Sequence, residues 1–129
     1  MLFFLHAADV TKPVTDEERR RIGARRNAFK LPTVMKYVLK YADGKTAEIP
    51  VVLERNVQHW LQDKPRPLSN AQVAWSHPVA GGKRGVVYSM KAANPRPGVA
   101  IETIDVELDD APRATPALLA ITLGDVAGR

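Results

Sequence analysis

The chain has 129 residues, a formal net charge of +5 and no cysteine. This length suits one domain with a substantial core and is too short for two, so we expect a single domain over residues 1–129. The lack of cysteine excludes disulfides and thiolate metal sites, and no apolar run approaches the roughly 18 residues that a membrane span needs.

The first predicted element is a short buried strand, Leu2–Ala8, which lacks the basic flank and the cleavage site of a signal peptide. A helix is predicted over about residues 16–29, because Thr15 and Glu18 have the spacing of a capping box and Pro32 follows its end. Few apolar residues recur at the helical period. The helix should therefore lie on the surface, as an insertion in a sheet protein.

The most regular pattern lies between Val34 and Leu53. Large apolar residues alternate there with polar ones, as on a strand with one buried and one wet face. Asp43-Gly44 in the middle predicts a two-residue type I′ turn. Pro50 in the second arm indicates an edge or a bulge. The segment is a predicted β-hairpin.

The rest of the chain holds further short apolar segments, separated by turns that many of its ten prolines and eight glycines mark. A helical turn or strand is predicted at residues 57–61, and strands are predicted at 71–75, 85–93, 99–108 and 117–123. The apolar positions change phase around Glu102-Thr103, which predicts a β-bulge. The fold class expected is all-β, an antiparallel β-sandwich or jelly roll with one inserted surface helix.

The sequence carries no catalytic signature. The three histidines, His6, His59 and His77, lack the short spacings of a metal site. Calcium would need oxygen ligands, for which the candidates are Asp43, Asp105, Asp109 and Asp110. A turn and a solvated loop explain most of these carboxylates better. We therefore expect a protein that is not an enzyme and has no cofactor, with structural calcium as the alternative.

Four short pieces stand out by their order and spacing: Leu-Phe-Phe-Leu-His-Ala at 2–7, Tyr-Ala-Asp-Gly at 41–44 with Glu-Ile-Pro at 48–50, Asn-Pro-Arg-Pro at 94–97 followed by Ile101 and Ile104-Asp105, and Leu-Ala-Ile-Thr at 119–122. Together they resemble the second half of a galactose-binding-like β-sandwich module of secreted and carbohydrate-active bacterial proteins. The resemblance covers most of the chain except residues 11–30. It implies an extracellular or periplasmic accessory module for binding or spacing, without chemistry of its own.

Members of that family usually carry further strands before the first of these pieces. The resemblance therefore implies a part-module with an open sheet edge, which a partner chain or a second copy would cover. A structural assembly module of this kind is the alternative to a ligand-binding one.

Trp60 and Trp75 are the candidate ligand-binding residues, because the apolar face of a sugar ring can lie on an indole. Polar groups for its hydroxyls could come from residues near Trp60 and from the proline-rich turn: Arg55, Asn56, His59, Asn94 and Arg96. The alternative is that both tryptophans belong to the core or its cover. The predicted function is a non-catalytic carbohydrate-binding or interaction module.

Much of the positive charge lies in the predicted helix, at Arg19, Arg20, Arg21, Arg25 and Arg26. These side chains form either a solvated face that the helix's own carboxylates satisfy or a contact surface for an acidic protein or polyanion. Nucleic acid is the less favoured partner, because no aromatic residues interleave with the arginines.

Overall fold

The structure is a computed structural model that describes residues 1–23, 30–109 and 113–124. Within these ranges the chain forms eight strands, one α-helix and one short 3₁₀ turn, at Ala80–Gly82. Their bounds are β1 Leu2–Val10, α1 Asp16–Gly23, β2 Thr33–Tyr41, β3 Thr46–Val52, β4 Leu61–Gln62, β5 Gln72–Pro78, β6 Arg84–Ala92, β7 Ile101–Leu108 and β8 Ala114–Leu123.

The strands form two antiparallel sheets, which confirms the predicted all-β sandwich. The first sheet has the order β5-β6-β1-β8, and the short strand β4 also pairs with the beginning of β6. The second sheet has the order β3-β2-β7. The central strands are therefore β1 and β6 in one sheet and β2 in the other.

The core lies between the two sheets. Alternate residues of β1, among them Phe4 and His6, are buried on its core face, while Phe3 and Ala7 lie on its outer face. The ring of Phe4 stacks on the ring of Tyr37 from β2, with centroids 4.0 Å apart. Stacked aromatic rings bury large apolar areas, so this pair fixes how the sheets face each other.

The hairpin of β2 and β3 forms where the sequence predicts it, but the predicted turn type is wrong. Gly44 has a φ of 83°, whereas Asp43 is not in the left-handed region. The backbone N–H of Gly44 donates to the carbonyl of Tyr41, and the N–H of Tyr41 donates to the carbonyl of Lys45. Residues 42–44 therefore make a three-residue loop, a type I turn followed by a left-handed glycine, instead of a two-residue type I′ turn.

The predicted bulge in β7 is confirmed. Lys40 of β2 pairs with Thr103, and the next residue, Tyr41, pairs with Ile101. Glu102 is the extra residue of the bulge. The shift keeps Ile101 on the core face together with Ile104, which a regular strand could not do.

The helix begins with the predicted capping box. The backbone N–H of Glu18 donates to Oγ1 of Thr15, and the backbone N–H of Thr15 donates to Oε1 of Glu18. The helix is described only as far as Gly23, so the predicted continuation to residue 29 lies outside the described residues. Its described part has eight residues, and no helix in the described ranges is long and apolar enough to cross a membrane.

Strands β1 and β8 are longer than predicted. The predicted loop over 109–116 ends early, because residues 114–116 already pair with the end of β1. The carbonyl of Arg113 accepts hydrogen bonds from the N–H groups of Thr11 and Lys12, which continue the ladder beyond Val10. Pairing with a longer β1 therefore draws the residues around Pro116 into the strand, a position that prolines occupy at sheet edges.

Candidate functional site

Trp60 and Trp75 come together at one groove on the outer face of the first sheet. Their side chains are exposed to 40% and 53%, so neither belongs to the core. We call this site the tryptophan groove. It has a volume of about 310 Å³, and its main lining residues are Ala7, Asp9, Trp60, Trp75, Val79, Gly85, Val87, Thr115, Ala117 and Leu119.

Trp60 is held in place through its backbone. Its N–H donates to the carbonyl of Ala8 at the end of β1 (2.9 Å), and its carbonyl accepts from the N–H of Val86 in β6 (2.7 Å). Trp60 thus fills the space between β1 and β6 beyond the point where these two strands stop pairing. Because two hydrogen bonds tie its backbone to two strands, the starting position of the indole is fixed. This favours a preformed site over an adaptable one.

Trp75 reaches the outer face because of a bulge in β5. Val73 pairs with Tyr88, which is buried, but Trp75 pairs with Val87 on the opposite face of β6. The extra residue is Ala74. In a regular strand Val73 and Trp75 would share a face, so the bulge turns the indole out of the core.

Small residues form the floor of the tryptophan groove. Ala7, Gly85 and Ala117 belong to three neighbouring strands of the sheet. A Cβ placed on Gly85 would lie 3.5 Å from the ring of Trp75, in ordinary van der Waals contact. Larger side chains at these positions would fill part of the groove. The groove is therefore open because the sequence places glycine and alanine there.

The rim of the groove carries a few polar groups. Asp9 and Thr115 are direct neighbours in the pairing of β1 with β8, and both line the groove. Residues paired in this way have Cβ atoms about 5 Å apart, so the carboxylate and the hydroxyl can contact one ligand group together. Next to the groove, the ring of His77 stacks against the ring of Trp75 with centroids 5.9 Å apart.

His59 lies beside the tryptophan groove and supports its frame. Its Nδ1 accepts a hydrogen bond from the backbone N–H of Val10 (2.9 Å) and lies 3.9 Å from the carboxylate of Asp9. Because Nδ1 is an acceptor, the neutral ring carries its proton on Nε2. His59 therefore ties the segment before Trp60 to the end of β1.

Four of the predicted ligand residues lie away from the groove, and two of them, Arg55 and Asn56, follow β3. Asn56 is buried: its Oδ1 accepts from the N–H of Val52 (2.8 Å), and its carbonyl accepts from Nε2–H of His6 (2.8 Å). The side chain supports the chain after β3 and is turned away from solvent. Arg55 is exposed but does not line the groove.

Asn94 and Arg96 lie at the other end of the sandwich, beyond the end of β6. Oδ1 of Asn94 accepts from the hydroxyl of Tyr41 (2.6 Å) and from the N–H of Arg96 (3.0 Å). The guanidinium of Arg96 makes two hydrogen bonds to the carboxylate of Asp43 and lies 4.8 Å from the centre of the Tyr41 ring. These contacts bind the proline-rich turn to the hairpin, and they hold the pKa of Asp43 well below its usual value.

The described arginines of the helix are partly engaged in ion pairs. Arg19 contacts Glu54, and Arg21 contacts Glu17 one turn earlier at 3.1 Å. Arg25 and Arg26 lie outside the described residues. The helix is fixed to the sheet by Glu18, whose carboxylate accepts two hydrogen bonds from Arg113. This pairing lowers the pKa of Glu18 to about 2.

Nothing in the described ranges groups three or more potential metal-binding side chains. The buried titratable groups of the described ranges include His6, and desolvation lowers its pKa. It lies in the core, remote from the groove on the opposite face of the sheet. The arrangement at the tryptophan groove is thus suited to binding, with apolar faces and a few hydrogen-bonding groups.

Sequence reasoning missed several groove residues, among them Asp9, Gly85, Thr115 and Leu119. Gly85 could have been suspected, since a glycine inside a strand pattern indicates a close approach. Asp9 and Thr115 carry no such signal, because their proximity depends on the register of β1 with β8. Comparison of the chain with family models, curated proteins and solved structures finds no match.

Proposed function

We propose that this protein is a non-catalytic carbohydrate-binding module that holds a sugar ring in the tryptophan groove. The observation that carries the proposal is the joint exposure of Trp60 and Trp75 at one groove whose floor consists of small residues. Exposed large apolar patches on a folded protein mark binding surfaces. Two indoles at one such patch offer flat faces of the kind that a pyranose ring covers.

The polar groups of the rim favour a sugar over a purely apolar ligand. Asp9 supplies a carboxylate acceptor and Thr115 a hydroxyl, both next to the apolar floor. A sugar presents C–H groups on its face and hydroxyls at its edge, so it can use both kinds of contact at once. The resemblance of the four sequence pieces to galactose-binding-like modules supports the same ligand class.

The expected affinity is modest. The groove is open to solvent and offers few hydrogen-bonding groups, so most of the free energy comes from the apolar faces. We expect a dissociation constant between about 10 µM and 1 mM for a short oligosaccharide. A preformed groove needs no large rearrangement on binding.

A glycan array tests this proposal and identifies the ligand class. The wild type is compared with Trp75→Ala and with Ala117→Phe, which fills the groove and leaves both tryptophans in place. Both positions are exposed, so neither change opens a cavity in the core. The proposal predicts that a defined set of glycans binds the wild type and neither variant. It is wrong if no glycan binds, or if the bound set is the same for all three proteins.

A further inference from the structure

Strand β8 is an edge strand whose core face is partly uncovered. Ile121 pairs with Phe4 and Leu123 pairs with Leu2, so both side chains point to the core side of the first sheet. They nevertheless remain exposed, to 36% and 71%. Large apolar side chains that face the core and still contact solvent indicate that the sandwich is open at this edge.

The backbone of the same residues is available for pairing. The N–H of Gly124 donates to the carbonyl of Met1, and the amino group of Met1 donates to the carbonyl of Gly124. Hydrogen-bonded pairs alternate with non-bonded pairs along an antiparallel ladder. The N–H and C=O groups of Ile121 and Leu123 therefore point away from β1, toward the edge where no strand of the described ranges pairs with β8.

The uncharged composition of β8 favours an identical strand as its partner. From Ala114 to Leu123 it has no charged residue, which is unusual for an exposed edge. The other edges are protected: β7 carries Glu102, Asp105 and Glu107, β3 contains Pro50, and β5 ends in Pro78. The proline of β8, Pro116, lies near the start of the strand, away from Ile121 and Leu123. Self-pairing of β7 would bring acidic residues together, whereas β8 can lie against an identical strand without like-charge repulsion.

We propose that β8 pairs antiparallel with β8 of a second copy of this chain, across a two-fold axis at Thr122. In this register Ile121 lies opposite the partner's Leu123, and the reverse holds by symmetry. Their outward backbone groups form four hydrogen bonds. Thr122 lies opposite the partner's Thr122, a favourable cross-strand pair, and Ala120 opposite the partner's Gly124, where both residues are small.

The extent of the pairing follows from the irregularities of the strand. Leu119 is the extra residue of a bulge against β1, because Leu5 pairs with Ala120 and His6 pairs with Leu118. The bulge ends the regular edge, so the paired stretch covers residues 120–124. The two first sheets then join into one continuous sheet, and Ile121 and Leu123 of both copies pack together on its core side.

The pairing does not depend on the proposed function, but it has a consequence for it. A two-fold axis perpendicular to the sheet keeps both outer faces on the same side. The two tryptophan grooves of the dimer would then face one surface, and a polymer with repeated sugars could occupy both, which raises the apparent affinity.

Sedimentation equilibrium of the whole chain tests the proposal over micromolar to millimolar concentrations. The wild type is expected to approach twice the 14.2 kDa of one chain. Leu123→Lys should remain monomeric, because it brings a positive charge into the paired edge. Leu108→Lys is the matched control, since Leu108 is 62% exposed on the core face of the other edge strand β7. It should dimerise like the wild type.

A second variant guards against misfolding of the first. Leu123→Pro removes one outward N–H and no hydrogen bond of the monomer, and it should also be monomeric while its circular dichroism matches the wild type. The proposal is overturned by a monomeric wild type, by dimers of a folded Leu123 variant, or by loss of dimers in Leu108→Lys alone.

Discussion

The hydroxyl of Tyr37 lies 2.7 Å from Nδ1 of His6, and this hydrogen bond joins the two sheets inside the core. The other ring nitrogen, Nε2, lies 2.8 Å from the carbonyl of Asn56, which can only accept. Nε2 therefore carries the proton, and Nδ1 accepts from Tyr37. Burial raises the pKa of Tyr37, so its hydroxyl stays a donor at any moderate pH.

Replacing Tyr37 by Phe should destabilise the fold by about 1–3 kcal/mol, because it leaves Nδ1 of His6 buried without a partner. Chemical denaturation followed by circular dichroism measures the change. Tyr41→Phe is the matched control, since the hydroxyl of Tyr41 donates to Asn94 in a partly exposed site. It should cost less, about 0.5–1.5 kcal/mol. Equal costs for the two variants would contradict a special role for the core network.

The stability of the protein should fall as the pH drops below about 6.5. Burial lowers the pKa of His6, so the folded state keeps this ring neutral while the unfolded state takes up a proton. The unfolded state then binds more protons, and stability declines with falling pH by at most about 1.4 kcal/mol per pH unit from this group. Denaturation midpoints between pH 8 and pH 5 measure the effect.

The control for this pH dependence is His6→Gln. Glutamine can donate to the carbonyl of Asn56 and accept from Tyr37, but it does not titrate. Its stability should change less over the same pH range. A slope identical to that of the wild type would assign the effect to other groups.

Glu18→Gln should loosen the helix from the sheet. Glutamine can still serve in the capping box, but it loses the charge that pairs with Arg113. Trypsin should therefore cleave among residues 19–26 several-fold faster than in the wild type. Glu17→Gln is the control, because the pair of Glu17 with Arg21 is exposed on both sides and should matter little. Equal cleavage rates would mean that Arg113 does not hold the helix.

The elements that the sequence predicts correctly are those that local patterns determine. Alternation of apolar residues predicts the hairpin of β2 and β3, and the change of phase near Glu102 predicts the bulge of β7. The spacing of Thr15 and Glu18 predicts the capping box. The predicted turn type at Asp43 is wrong because the loop includes Ala42. Which residues belong to the loop depends on where the two strands stop pairing.

The tryptophan groove shows what local patterns cannot predict. In a regular strand Val73 and Trp75 share a face, so the alternation favours a core position for the indole. The bulge at Ala74 turns the indole to the outer face instead, and no residue type in β5 indicates that a bulge occurs there. Likewise, Asp9 meets Thr115 only through the pairing of two strands that are distant in the sequence. Such sites depend on the register of paired strands, which a single sequence does not determine.

Isothermal titration with the best glycan from the array tests most directly whether the tryptophan groove is the binding site. Trp75→Ala should weaken binding at least tenfold, while Arg96→Ala, at the other end of the sandwich, should bind as the wild type does. Both variants must first show the wild-type circular dichroism. Undiminished affinity of Trp75→Ala, or a comparable loss in Arg96→Ala, would contradict the assignment of the binding site to the tryptophan groove.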